Sequence, residues 1–144
     1  MKQILLMLGV LIIASCSGSQ LPEQMQLDSM HIALHGCPEP TGKPKDVGIP
    51  ELVASPAAFD AVLVRVSGHY HDDFEHHAIY PGSKPEPDDH RFSDGIWLLR
   101  LDPDFRGDRI QVTGYFTART KGHLDQWLGS ICVTSVARAP QHAP

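Results

Sequence analysis

From Val62 onward the apolar residues recur at every second position, and no long stretch repeats them at helical spacing. Val62, Val64 and Val66 fall on one side of an extended chain, Leu63, Arg65 and Ser67 on the other, and Gly68 follows. A second run leads from His69 towards Tyr80. Ile96-Trp97-Leu98-Leu99 is the short apolar run expected of a strand buried on both faces. Ile110, Val112 and Gly114 alternate with Gln111 and Thr113, and Tyr115-Phe116 extends that run. Ile131, Val133 and Ser135 alternate with Cys132, Thr134 and Val136. Turn residues separate the runs at Pro81-Gly82, Ser93-Asp94-Gly95, Arg106-Gly107-Asp108 and Lys121-Gly122. The pattern predicts an all-β domain of five short strands.

Five strands with a glycine in the first and the fourth fit a small OB-like antiparallel barrel from about Val62 to Val136. Such a barrel coils its first strand so that it serves both halves of the sheet, and Gly68 and Gly114 would permit the bend or a bulge. Another small antiparallel barrel or sandwich is the alternative. The barrel requires Val64, Val66, Ile96 or Leu98, Val112 and Ile131 to point into one core. Pro81 to Asp94 reads as a polar, proline-bearing loop.

Ahead of the strands, Met30 to Leu34 alternates weakly and reads as a short strand ending near Cys37. Pro38, Pro40, Gly42, Pro44, Gly48 and Pro50 exclude a regular helix or a central strand between them. Residues 16–49 therefore read as an anchor and flexible tether, 50–138 as the domain, and 139–144 as a disordered tail. Pro50 to Ala54 suits one or two helical turns, with proline early where its missing N–H costs nothing, and Ser55-Pro56 ends them.

The first residues are a cationic start, Met1-Lys2-Gln3, followed by an almost wholly apolar run from Ile4 to Ala14. That run is too short for a membrane span and has the length of a signal-peptide core. Ile13-Ala14-Ser15-Cys16 resembles a lipobox, with small residues before a cysteine whose thiol would take a diacylglyceryl group. Two or three acyl chains, at about 0.8 kcal/mol per buried CH₂, would hold the protein durably. The expectation is cleavage before Cys16 and a lipid-anchored envelope protein; an ordinary cleaved signal peptide is the alternative. Ser17 rather than an aspartate follows, the pattern sorted to the outer membrane of a Gram-negative host and facing the periplasm. That compartment is oxidising, so the two remaining cysteines, Cys37 and Cys132, are expected to form a disulfide.

The chain has 144 residues and a formal net charge of −5, and cleavage would remove Lys2 and no acid. An acidic chain without a basic stripe argues against nucleic acid and against docking on anionic lipid. Nine histidines are many for this length. His69 and His71 share a strand face, with Glu75, His77 and, in the next loop, His90 nearby in sequence. Imidazole and carboxylate suit zinc, and imidazole suits copper, but the spacing matches no established zinc motif. A solvated histidine-rich surface is the competing reading. His123 in Gly122-His123-Leu124 could face a barrel mouth, or could hydrogen-bond the loop before the last strand. Trp97 and Trp127 could line a binding face or serve core and rim. No nucleophile elbow, zinc-protease helix motif or phosphate-binding glycine loop is present, so an enzyme is not expected.

The run from Pro50 to Val136 also resembles a group of small bacterial proteins, several of them lipoproteins, with no established activity. The resemblance rests on Glu51-Leu52, Pro56-Ala57-Ala58-Phe59-Asp60, Val64 to Gly68, Phe74-Glu75, Ile79-Tyr80, Ile96-Trp97, Val112-Thr113-Gly114, Gly122-His123-Leu124 and Gly129-Ser130-Ile131. It implies the barrel and no chemistry. Ala61 stands where the group commonly has glycine, so the turn into the first strand is expected to differ. Together these readings point to a non-enzymatic lipoprotein binding an envelope protein or cell-wall partner, or playing a structural part. The alternative is a periplasmic zinc or copper protein using His69, His71, Glu75, His77 and His90.

Overall fold

The computed structural model describes residues 32, 36–82, 91–101 and 108–140. The expected signal sequence, Cys16, His90 and the last four residues lie outside them. The described chain is mostly β: β1 (Lys45–Asp46), β2 (Leu63–Asp73), β3 (His76–Tyr80), β4 (Ile96–Leu99), β5 (Arg109–Thr117) and β6 (Ser130–Arg138). A short helix, α1 (Ile49–Ala54), precedes β2, and none of the described helices is long and apolar enough to cross a membrane.

The strands form one sheet in the order β1-β2-β3-β4-β6-β5, and β5 also pairs with β2, so the pairing returns to the strand from which it departs. β2 makes this closure. Its first half pairs with β5, from Leu63 opposite Tyr115 to His69 opposite Arg109, and its second half pairs with β3, from His69 opposite Tyr80 to Asp73 opposite His76. Gly68 sits where the two halves meet. A Cβ there would lie 2.5 Å from the Tyr80 carbonyl oxygen and 2.7 Å from Ile49 Cδ1, so only glycine allows that approach. The alternation breaks again between Thr113 and Gly114, where the β5–β6 register shifts as at a bulge.

Alternate residues of β2 point inward. Val64, Val66, Tyr70, Ile79, Ile96, Leu98, Ile110, Val112, Phe116 and Ile131 meet in one core, joined by Ile49 and Leu52 from α1. All the core positions required by the sequence are therefore inside together. Burial of each such side chain contributes about 1.5–3 kcal/mol.

Four expectations need correction. The run from His69 towards Tyr80 is two strands, not one: β2 passes straight through Gly68 and turns at Phe74-Glu75, because the glycine serves packing and not termination. The sheet is not wholly antiparallel. β6 pairs antiparallel with β5 and thereby runs parallel to β4, with Leu98 opposite Ile131. Residues 36–49 are not a free tether. Cys37 is bonded to Cys132, Thr41 meets the Tyr115 hydroxyl at 3.1 Å, β1 lies along β2, and Val47 and Ile49 enter the core. Prolines barred regular structure in this segment but not packing. Finally, Ile32 is helical rather than extended; its carbonyl accepts the Gly36 N–H at 2.9 Å, and its side chain is buried with Leu63, Tyr115 and Cys132. The rest of the expected strand, apart from Ile32, lies outside the described residues.

Candidate functional site

Two turns face each other at one end of the sheet. The first is the β2–β3 hairpin. Asp72 opposes His77, and the pairing continues to Asp73 and His76 before Phe74-Glu75 closes the turn. Asp73 Oδ1 accepts the Phe74 N–H at 2.7 Å, and Glu75 takes a left-handed φ of 56°. Because directly opposed residues share a face, Asp72 and His77 meet side by side, with Nδ1 of His77 2.9 Å from Asp72 Oδ1.

The second turn precedes β6. Asp60 holds its start, with Oδ1 accepting the Ala118 N–H at 3.0 Å and Oδ2 accepting from Arg119 Nε at 3.1 Å. Ser130 Oγ donates to the Thr120 carbonyl at 2.6 Å, and the Trp127 N–H donates to the Lys121 carbonyl. Gly122 is pressed on two indoles: a Cβ would lie 2.7 Å from both Trp127 Cε3 and Trp97 Cδ2, and its φ is +72°. His123, Leu124 and Asp125 follow as a kinked turn in which Leu124 and Asp125 adopt left-handed φ of 52° and 56°.

His123 reaches across and places Nε2 3.1 Å from Glu75 Oε2, tying the two turns together. Between them lies an open cleft of about 760 Å³ lined by Asp72, Asp73, Phe74, Glu75, His77, Trp97 and His123. Phe74 and Leu124, on the two tips, are 86% and 76% exposed, the exposed large apolar side chains among the described residues. Beneath the cleft an aromatic layer covers the outside of the sheet. Trp97 packs on Trp127 with centroids 4.6 Å apart, Phe92 meets Trp127 at 4.8 Å, and Ala78 and Tyr80 complete the layer. His76 lies within it, 2.6 Å from the Tyr80 hydroxyl, 4.1 Å from the His71 ring and 5.2 Å from Trp127. Trp127 is 1% exposed, and its Nε1 has no hydrogen-bond partner among the described residues.

The residues expected to form one metal set are divided. His69 and His71 do share a face of β2, but His71 stacks on His76, His77 pairs with Asp72, and Glu75 pairs with His123. His69 stands opposite Tyr80 and Arg109, and His90 lies outside the described residues. Among the described residues no three histidine, cysteine or carboxylate groups come together as a metal site. The two tryptophans also separate: Trp127 is packing, and Trp97 is half-buried in the cleft wall. Asp72, Asp73 and Phe74 complete the site. Their signal in the sequence is the polar, turn-like pair Asp72-Asp73, although the turn itself carries no glycine or proline. No model of a known protein family matches the chain, and no curated protein gives a match.

Proposed function

We propose that the chain is a lipid-anchored envelope protein whose β domain is an OB-type barrel acting as a non-enzymatic binding module. The partner would sit in the cleft between the β2–β3 hairpin and the Gly122–Asp125 turn. The observation that carries this reading is the place of the cleft. OB-type barrels take ligands on the face of their second and third strands, between the first hairpin loop and the loop before the last strand. Counting the closed ring from β2, Trp97 and His77 belong to those strands, and Glu75 and His123 to those loops. Two large apolar side chains held in water on either side add the surface expected of a contact.

Binding rather than catalysis is supported by exposure. The carboxylates of Asp72 and Glu75 are 38% and 49% exposed, so neither is desolvated in the way that poises an acid for proton transfer. A periplasmic zinc or copper role for His69 to His90 has less support, since the described part of that group is shared among different partners. The anchor itself rests on Ile13 to Cys16. Cys16→Ser should abolish incorporation of labelled palmitate and leave uncleaved precursor.

The binding reading is tested in cells with a photocrosslinking residue at Phe74, at Leu124 or, as a control away from the cleft, at Thr134. The same discrete adduct from both tips, absent at Thr134 and lost with Trp97→Ala, is the expected result. Adducts from all three sites, or from neither tip, would remove the cleft as the site.

A further inference from the structure

Among the described residues the cleft wall contains three carboxylates, Asp72, Asp73 and Glu75, and neither lysine nor arginine. Its two histidines are each set against a carboxylate, His77 against Asp72 and His123 against Glu75. Asp73 is exposed and uses one oxygen on the Phe74 N–H. A carboxylate-lined surface alone is an ordinary solvated one. Here it surrounds an indole, Trp97, whose face can take a cation, and it is flanked by Phe74 and Leu124.

Resting on the reading of the cleft as a binding site, we infer that its occupant is an extended basic segment of an envelope protein. A lysine or arginine side chain enters between Asp73 and Glu75 and lies over Trp97, while apolar side chains two residues to either side, on the same face of the extended segment, rest on Phe74 and Leu124. Both demands are met by one short peptide in which a basic residue stands between two apolar residues, each two positions away. A small polyamine supplies the charge but has no branches for the two apolar tips. A neutral glycan would use the indole but leaves the carboxylates without a countercharge and the tips without a contact.

The test uses the full-length protein in phosphatidylcholine nanodiscs, with empty discs as blank. Three probes are titrated by calorimetry: the capped peptide Gly-Leu-Ser-Arg-Ser-Leu-Gly, its counterpart with Glu in place of Arg, and an N-acetylglucosamine tetramer. The basic peptide should bind saturably and the acidic one should not, and binding should weaken severalfold as salt is raised from about 0.05 to 0.3 M. Asp73→Asn with Glu75→Gln should weaken binding about tenfold. The amide oxygen of the substituted asparagine would still accept the Phe74 N–H, so the turn is kept. Asp46→Asn with Glu51→Gln changes net charge equally, away from the cleft, and should leave affinity unchanged. Equal loss in both double variants, no loss in either, or no binding of the basic peptide overturns the inference. If the glycan binds and the peptide does not, the basic occupant is wrong while the binding module stands; if nothing binds, the crosslinking result decides separately whether the cleft is a site.

Discussion

Glu75 Oε2 and His123 Nε2 stand 3.1 Å apart, joining a hairpin turn to the turn before the last strand. Both side chains are substantially exposed, 49% and 36%, so the pair contributes little to global stability. His123→Ala should leave the unfolding free energy within about 0.5 kcal/mol of wild type. Its effect should be local: faster amide hydrogen exchange from Gly122 to Trp127, with the core strands unchanged. Slower exchange, or a loss of several kcal/mol, would contradict the role given to this contact.

Cys37 and Cys132 are joined across 95 residues. A cross-link closing a loop of that length restricts the unfolded chain by about 4.7 kcal/mol in the entropic account. Thiol titration of denatured, unreduced protein should find neither of these two cysteines. Cys37→Ser with Cys132→Ser should lower stability by about that amount and free residues 36–41 to protease. Unchanged denaturation with and without reductant would show that the strap holds by its other contacts alone.

Val66 and Val112 lie directly opposite one another on β2 and β5 and are both within 1% of complete burial. Truncating either to alanine should cost about 2–3 kcal/mol. The two losses should not add, because the side chains share one space. Val133→Ala, at a partly buried position on the edge of the same cluster, should cost visibly less. Denaturant titrations with a constant m-value provide the comparison.

Ala61 adopts φ of 63° just before β2, and its N–H donates to the Phe116 carbonyl at 2.8 Å. The left-handed region costs a residue with a Cβ about 1–2 kcal/mol, which glycine escapes. Glycine loses more entropy on folding, so Ala61→Gly should be stabilising by at most about 1 kcal/mol. A rise in melting temperature is expected. A fall would mean that the alanine methyl, packed near Leu63 and Tyr115, is worth more than the strain.

Zinc or copper should shift the melting temperature little, because the described histidines are divided among separate partners. A site would add RT ln(1 + [L]/Kd), about 2.7 kcal/mol at a hundredfold excess over Kd. His69→Ala with His71→Ala should therefore behave as wild type towards added metal. A large stoichiometric shift that disappears in the double variant would restore the metal reading.

Period-two alternation determined that the chain is all-β and which residues of each strand face inward, and Pro50 marked the start of α1 to within one residue. These are local properties: the direction of each side chain follows from the pleat, and the hydrophobic effect decides which face turns in. The two-cysteine count, with the compartment inferred from the first residues, was enough to expect the Cys37–Cys132 bond. What tertiary structure alone decided is where β2 divides between β5 and β3, the parallel pairing of β4 with β6, and the packing of residues 36–49. Each depends on contacts between residues far apart in the chain, and no local spacing encodes them. The histidines show the same limit. Sequence proximity grouped Glu75 with His77, whereas His77 meets Asp72 directly across the hairpin and Glu75, in a left-handed turn position, reaches His123 on the turn before β6, a contact between residues far apart in the chain.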